Sequence, residues 1–471
     1  MKYFYFYVLG LMQFIIQPAV TQIYSPVDSL ALITVDVNCD LSDNLNWNSE
    51  PDPANWTGVF WDDQVPKRVW LLEIYGKELT GIPDYNSLEY LESLFIGNNP
   101  IEDIKIHDLT NLKQLDISYS AIDSLDLRPI INLQYVNLLN NPLVHLRVDG
   151  LPALKDLACA YNQLDTLILK DLPSLTDLNI SENPLFDIDL SDLEQLEQLA
   201  CYNTELVVLP VSNSKNPNIT FINCMGNHID TLHLDLENLE NLMCSDNNML
   251  HLDFIHFPAK LMELESHHNR LSSIDMAGAG HLIFADLANN KLPFSSLKTA
   301  LHAPDFLFLR QDTIFEKQTY SGNTLINYTA EARVNSEVTE FTFYQNDSLV
   351  ETNTHGLYLT NGNGRYFCKM TNPAFPDLTL VTAAITITDV PSPGSWNIML
   401  YPNPAFDYVY CNRPDDIYSV TFYDLAGRRI AYIAESFGEM DVSYLLSGLY
   451  IVRVESSKGN FTQKIIKREP Q

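Results

Sequence analysis

The sequence predicts a mainly β chain: a solenoid of about eleven coils with a parallel sheet on its concave face, followed by two small β-sandwiches. Three observations carry this expectation. First, the pattern Leu88-Glu-Tyr-Leu91-Glu-Ser-Leu94-Phe-Ile96-Gly-Asn-Asn99-Pro-Ile101-Glu-Asp-Ile104 restarts at Leu109, Ile130, Leu151, Leu172 and Leu193, each a step of 21 residues. It continues less evenly from Asn216, Leu236, Pro258 and Ala279, and an early copy starts at Pro66. Second, the repeat stops near residue 305 and strand-like alternation begins, as in Phe341-Thr-Phe343 and Thr379-Leu380-Val381-Thr382. Third, 471 residues that are 46% hydrophobic and 19% charged can bury a large core, and at roughly 150 residues per domain they suggest about three domains.

Residues 1–21 read as a signal peptide. Lys2 precedes an apolar run from Tyr3 to Ile16, then Pro18 and the small residues Ala19-Val20-Thr21, with cleavage expected near Gln22. The run is shorter than the roughly 20 residues that span a bilayer, and no other stretch is as long, so the mature chain is expected to be exported and soluble, without a transmembrane segment. No cysteine closely follows the run, which argues against a lipid anchor there. The chain has 60 acidic against 28 basic residues, a formal charge of −32. That balance argues against nucleic acid and anionic membranes as partners. Seven cysteines are too few, and too odd a number, for a disulfide scaffold.

Each fixed position of the repeat, counted over 66–304, has a physical reason. Positions 7 and 9 are apolar around a variable residue, the period of a short strand. Position 12 turns the chain and is asparagine at 99, 141, 162, 183, 227, 247, 269 and 290, with Ser120 and Thr204 standing in. A buried amide there can bond backbone groups that the turn leaves unpaired. A coil of 21 residues leaves no room for a long outer helix, so short extended or 3₁₀ segments are expected. Cys159, Cys201, Cys224 and Cys244 all fall at position 9. Three lie in consecutive coils, as a metal or disulfide ladder would. In-register parallel neighbours suit disulfide geometry poorly, so these read as small buried hydrophobes.

The template L-x-x-L-x-x-L-x-L-x-x-N-x-L-x-x-L resembles the leucine-rich repeat family. A solenoid must also hide the ends of its core. The segment 22–65, with Asn55-Trp56-Thr57-Gly58-Val59-Phe60-Trp61-Asp62-Asp63, resembles the tryptophan-containing N-terminal caps of such proteins. Cys39 is alone there, which excludes a disulfide within the cap.

Residues 305–390 contain Gly364-Arg365-Tyr366-Phe367-Cys368, which resembles an immunoglobulin-like corner, although no second cysteine and no tryptophan accompany it. Asp389-Val390-Pro391-Ser392-Pro393-Gly394-Ser395 introduces a linker at 391–397. Beyond it come Tyr401-Pro402-Asn403-Pro404-Ala405, Tyr423-Asp424-Leu425-Ala426-Gly427-Arg428-Arg429-Ile430, Ser447-Gly448-Leu449-Tyr450-Ile451-Val452-Arg453-Val454 and Lys464-Ile465-Ile466-Lys467. This series is similar to the type A C-terminal sorting domain of the type IX secretion system of Bacteroidetes-type bacteria. The resemblance implies that 398–471 is read by the export machinery, then often removed, leaving the cargo released or attached to surface lipopolysaccharide. The segment carries 9 acidic and 8 basic residues, against 33 and 14 over 66–300.

No catalytic or metal-binding motif spacing occurs, so the chain is expected to be no enzyme and to need no cofactor. One cluster, Glu263-Leu-Glu265-Ser-His267-His268, places Glu265 and His267 on the concave face beside Asp286 of the next coil. Two carboxylates and an imidazole can hold a divalent cation, but on a face that is polar everywhere a solvated polar patch is the simpler reading, and no metal site is expected. The outward positions 6, 8 and 10 otherwise carry Glu73, Tyr75, Phe95, Asp116, Tyr135, Asn137, Asn179, Tyr202, Phe221, Asn223, Glu263 and Phe284. Exposed aromatics interleaved with acids suit a binding surface. The expected function is recognition of a protein on a host or neighbouring cell, with glycan binding as the alternative.

Overall fold

The computed structural model describes residues 23–39, 45–300, 303, 305–388, 398–424, 428–435, 437–457 and 459–468. The signal peptide at 1–21 and the linker at 391–397 lie outside the described residues. Two compact units result, one built on the repeats to Leu292 with Thr299–Arg310, the other on Pro293–Lys298 and the chain from Gln311 onward.

The first unit is organised by a thirteen-stranded sheet. Val59–Trp61 runs antiparallel to Val69–Glu73, and every later neighbour is parallel: Ser93–Phe95, Gln114–Asp116, Tyr135–Asn137, Asp156–Ala158 and onward to Asp305–Leu307. The central residue of each coil strand is buried, from Leu72 and Leu94 through Leu157 to Ala285. A slip of one residue would carry that apolar row to solvent, which fixes the register. Position 9 is buried as well, in Ile74, Ile96, Ile117 and Leu138 among others.

The asparagine ladder makes the bonds that its burial demands. The Asn183 amide donates to the carbonyls of Cys159, Ile180 and Ser181 at 2.9, 3.0 and 3.1 Å, while its Oδ1 accepts the Leu164 N–H at 3.0 Å. Asn162 repeats this one coil earlier, with Leu143 N–H as donor at 3.1 Å. Each side chain therefore stitches two coils together. The residue before it, position 11, adopts left-handed φ in all the coils, from Gly76, Asn98 and Tyr119 to His268 and Asn289.

Opposite the sheet the coils run through turns and short parallel pairs, Ser124–Asp126 with His145–Arg147 and Thr231–Leu234 with His251–Phe254. Between residues 66 and 292 there is no helix. All seven cysteines are buried free thiols. Desolvation pushes Cys159, Cys201 and Cys244 up to about 12, so they stay protonated and unreactive.

Before the first coil, a helix that the repeat pattern did not foreshadow spans Pro26–Asn38, with Ser25 as its N-cap. Trp47, Trp56 and Trp61 pack together and donate their indole N–H groups to the carbonyls of Thr57, Glu50 and Pro53. The expected repeat region differs in detail at its C-terminal end. Asp305–Leu307 pairs with Phe284–Asp286 and extends the sheet past 304. The short helix Phe294–Leu297 instead belongs to the second unit, where Phe294 stacks on Phe375 at 5.3 Å and Ser295 donates to the buried Glu331 carboxylate. Repeat counting assigns both segments by spacing alone, whereas side-chain packing divides them.

In the second unit, residues 318–388 form a sheet ordered Gln318–Ser321, Ile385–Thr388, Gly364–Asn372, Glu340–Gln345, Ser348–Asn353, with Phe375–Val381 also on Gly364–Asn372. The first pairing is parallel and the others are antiparallel. The buried Tyr366 hydroxyl donates to the Gly362 carbonyl at 2.9 Å. Residues 398–468 build a three-stranded and a four-stranded sheet around a separate core that includes Val409, Val420, Phe422, Met440, Val452 and Ile465.

Candidate functional site

Two registered rows cross the sheet of the first unit. One runs Glu73, Phe95, Asp116, Asn137, Ala158, Asn179, Ala200, Asn223, Met243, Glu265, Asp286. The other includes Tyr135, Asp156, Asp177, Gln198, Phe221, Asn241, Glu263 and Phe284. Every residue expected on this face is exposed or half-buried, and Tyr75 and Tyr135 are 52% and 43% exposed. The third expected row, position 10, is not uniformly outward. Gly97, Ser118, Ala160, Ser181 and Ser245 are buried there, because the chain has already begun its turn. Tyr75, Tyr202 and His267 project from it. The Tyr75 ring lies across Gly97, where an added Cβ would stand 2.8 Å from its edge.

Several candidate residues also hold the fold. The side-chain oxygens of Asp116, Asn137, Asn179, Asn223 and Asp286 each accept the backbone N–H two residues on, at 2.8–3.2 Å. This Asx turn ends the strand and explains why short polar residues recur at position 8. Asn137 also donates to Asp116 at 3.0 Å, and Asn241 to Glu263 at 2.7 Å. The aromatic members of the rows carry no such duty.

Sequence reasoning missed Tyr119 and Tyr161, 48% and 45% exposed, because they sit at the left-handed position outside strict alternation. The signal was compositional: Gly, Asn or Asp occupies that position in seven of the eleven coils, at Gly76, Asn98, Asn140, Asn203, Gly226, Asp246 and Asn289, so a tyrosine there is out of place. The Tyr202 hydroxyl donates to that of Tyr161 at 3.1 Å, with the rings edge to face. Desolvation, then this neighbour, pushes the Tyr202 phenol up to about 12. Tyr202 lines one open depression of about 360 Å³, and a second of about 330 Å³ shares Asn203 and Gly226 with it. A Cβ at Gly226 would stand 1.9 Å from Asn203 Oδ1.

The cation cluster assembles differently from its sequence expectation. Asp286 spends one oxygen on Ala288 N–H. The groups that converge are instead Asp246, His267 and His268, with one ligand atom of each within 4.8 Å of the others. Among the described residues no other set of three His, Cys, Asp or Glu side chains does so. Sequence spacing pointed to the strand rows, whereas left-handed turns bring this set together.

Eleven coils with buried positions 7 and 9 and an asparagine ladder define a leucine-rich repeat solenoid. Residues 399–468 match the family described as the secretion system C-terminal sorting domain, so the chain carries a type IX sorting domain and is a secreted or cell-surface protein. Among the described residues no helix is long and apolar enough to cross a membrane. No curated protein matches the chain. Similar solved structures include a leucine-rich repeat protein of Leptospira interrogans, at 19% identity and TM-score 0.40 over 50% of this chain and 67% of that one. An internalin of Listeria monocytogenes gives 18% and 0.41 over 63% and 92%. A plant ice-binding protein gives 20% and 0.40 over 58% and 89%.

Proposed function

We propose that the exported chain binds a protein on a host or neighbouring cell through the concave sheet face of its solenoid, without catalysing a reaction. One observation carries this reading. Phe95, Tyr135 and Phe284 stand exposed or half-buried beside Glu73, Asp156 and Glu263 of the adjacent strands, and Phe221 between Gln198 and Asn241, with no intramolecular bond that explains them. Rigid aromatics on a fixed backbone supply contact area at little entropic cost, as interface anchors do. Residues 22–65 act as the cap of the solenoid. Residues 311–388 act as an immunoglobulin-like spacer, a reading supported by the Tyr366–Gly362 bond and the parallel pairing of Gln318–Ser321 with Ile385–Thr388. Residues 398–471 engage the export machinery.

Glycan binding is the second reading, favoured by the Tyr161–Tyr202 pair, whose Tyr202 lines a depression together with Asn203, Asn223 and Asp246. Purified protein, cross-linked on intact host or neighbouring cells and probed in parallel on a glycan array, separates the two. The expected result is capture of a discrete protein that the triple variant Tyr135→Ala, Phe221→Ala, Phe284→Ala loses. Capture unaffected by that variant, or binding to glycans alone, overturns the protein reading.

A further inference from the structure

We propose that Asp246, His267 and His268 form a binding site for a divalent transition-metal ion of the zinc class at the edge of the sheet. Consecutive residues of a strand point to opposite faces, so two adjacent histidines normally diverge. Here they do not, because His268 takes the left-handed conformation at φ +51 and turns its ring back toward that of His267. The rings meet edge to face at 4.9 Å between centroids, with the two Nδ1 atoms 2.7 Å apart. Asp246 occupies the same left-handed position of the preceding coil, at φ +54, and its Oδ1 lies 3.6 Å from His268 Nδ1.

The backbone beneath this trio is fixed. Asp246 N–H donates to the His267 carbonyl at 3.0 Å, His267 N–H donates to Ser245 Oγ at 3.1 Å, and His268 N–H donates to the Ala288 carbonyl at 3.1 Å. Only side-chain rotation separates the present arrangement from a ligand set. Two nitrogens bound to one tetrahedral zinc ion at about 2.05 Å stand roughly 3.3 Å apart, so the rings need to part by less than about 1 Å. Two imidazoles and one carboxylate favour zinc, nickel or copper over calcium and magnesium, which prefer all-oxygen sites. Three protein ligands leave a fourth position open to water or to a side chain of a bound partner. The half-buried His267 and exposed His268 and Asp246 make the site reachable from solvent. The site is independent of the binding-face proposal, since it uses the turn edge and not the aromatic rows.

Untagged full-length protein, titrated with Zn²⁺ against a chromophoric chelator and by calorimetry, tests this. The expected result is one ion per chain at micromolar affinity, with no uptake of Ca²⁺ under the same conditions. His267→Gln and His268→Gln should each weaken binding by about tenfold or more, and Asp246→Asn by less. His233→Gln, at an exposed ring paired with Asp253, should change nothing. Circular dichroism of each variant should match the parent, because all three side chains lie on the surface. Absence of stoichiometric Zn²⁺ binding by the parent protein, or affinity unchanged in the double variant His267→Gln, His268→Gln, overturns the proposal.

Discussion

Arg68 closes on Asp28 at 2.9 Å, and this ion pair ties the N-terminal helix to the first coil. Asp28 is fully buried; it accepts from Arg68 Nε, Val69 N–H and Ser25 Oγ at 3.1, 2.9 and 2.8 Å. Arg68 also stacks over the Tyr90 ring at 4.2 Å. A buried charge robbed of its partner is costly, whatever the net worth of the intact pair. Arg68→Ala should therefore destabilise the solenoid by about 3–5 kcal/mol in urea unfolding. A loss below about 1 kcal/mol would show that water reaches Asp28 and that the pair does not secure the first coil.

The asparagine ladder and the Asx turns predict a graded pair of variants four residues apart. Asn183→Ala strands three carbonyls and the Leu164 N–H in the core, costing roughly 1–3 kcal/mol. Asn179→Ala loses the one bond from the Ser181 N–H to a half-buried side chain that solvent still reaches, and should cost clearly less. Thermal melts in which Asn179→Ala is the weaker protein would mean that the repeat phase is wrong.

Asp156 and Asp177 face each other on adjacent strands. Burial first, and then the charge of Asp177, hold the Asp156 carboxyl above its ordinary range. A raised pKa in the folded state means that ionisation opposes folding. The penalty is full at neutral pH and fades as pH falls through the folded value toward the unfolded one. Asp156→Asn should accordingly raise Tm by about 1–3 °C at pH 7 and give little gain near pH 3.5. An equal gain at both pH values would assign the effect to packing instead of charge.

Tyr450 in the sorting domain donates to the Leu446 carbonyl at 2.8 Å, the same four-residue reach that Tyr366 makes to Gly362. Tyr450→Phe keeps the ring in the core beside Phe422 and removes only this bond. It should lower the stability of that module by about 1 kcal/mol while the solenoid transition stays in place. Differential scanning calorimetry resolves the two, and a shift of the solenoid transition would contradict this.

Much of the fold was legible because the repeat constrains itself. Eleven copies fix the phase, the phase fixes which side chains meet the core, and Cys159, Cys201, Cys224 and Cys244 are buried as their position requires. The helix Pro26–Asn38 was not legible, since it occurs once and borrows its burial from the first coil. The site was half legible. Alternation identified the rows at positions 6 and 8, but not the left-handed residue that turns Tyr161, Asp246 and His268 to the strand ends. Nor does alternation separate an asparagine that faces a partner from one that ends a strand, because that distinction lies in a backbone bond two residues away.

The central claim is that residues 399–468 carry the solenoid out of the cell, where its sheet face can meet a partner. The most direct measurement is fractionation of a type IX-competent host expressing either the full chain or a form truncated after residue 397. Full-length protein is expected at the surface or in the medium, and folded truncated protein in the periplasm, since 398–468 pack around a core of their own. Truncated protein found outside the cell at the level of the full chain would contradict it.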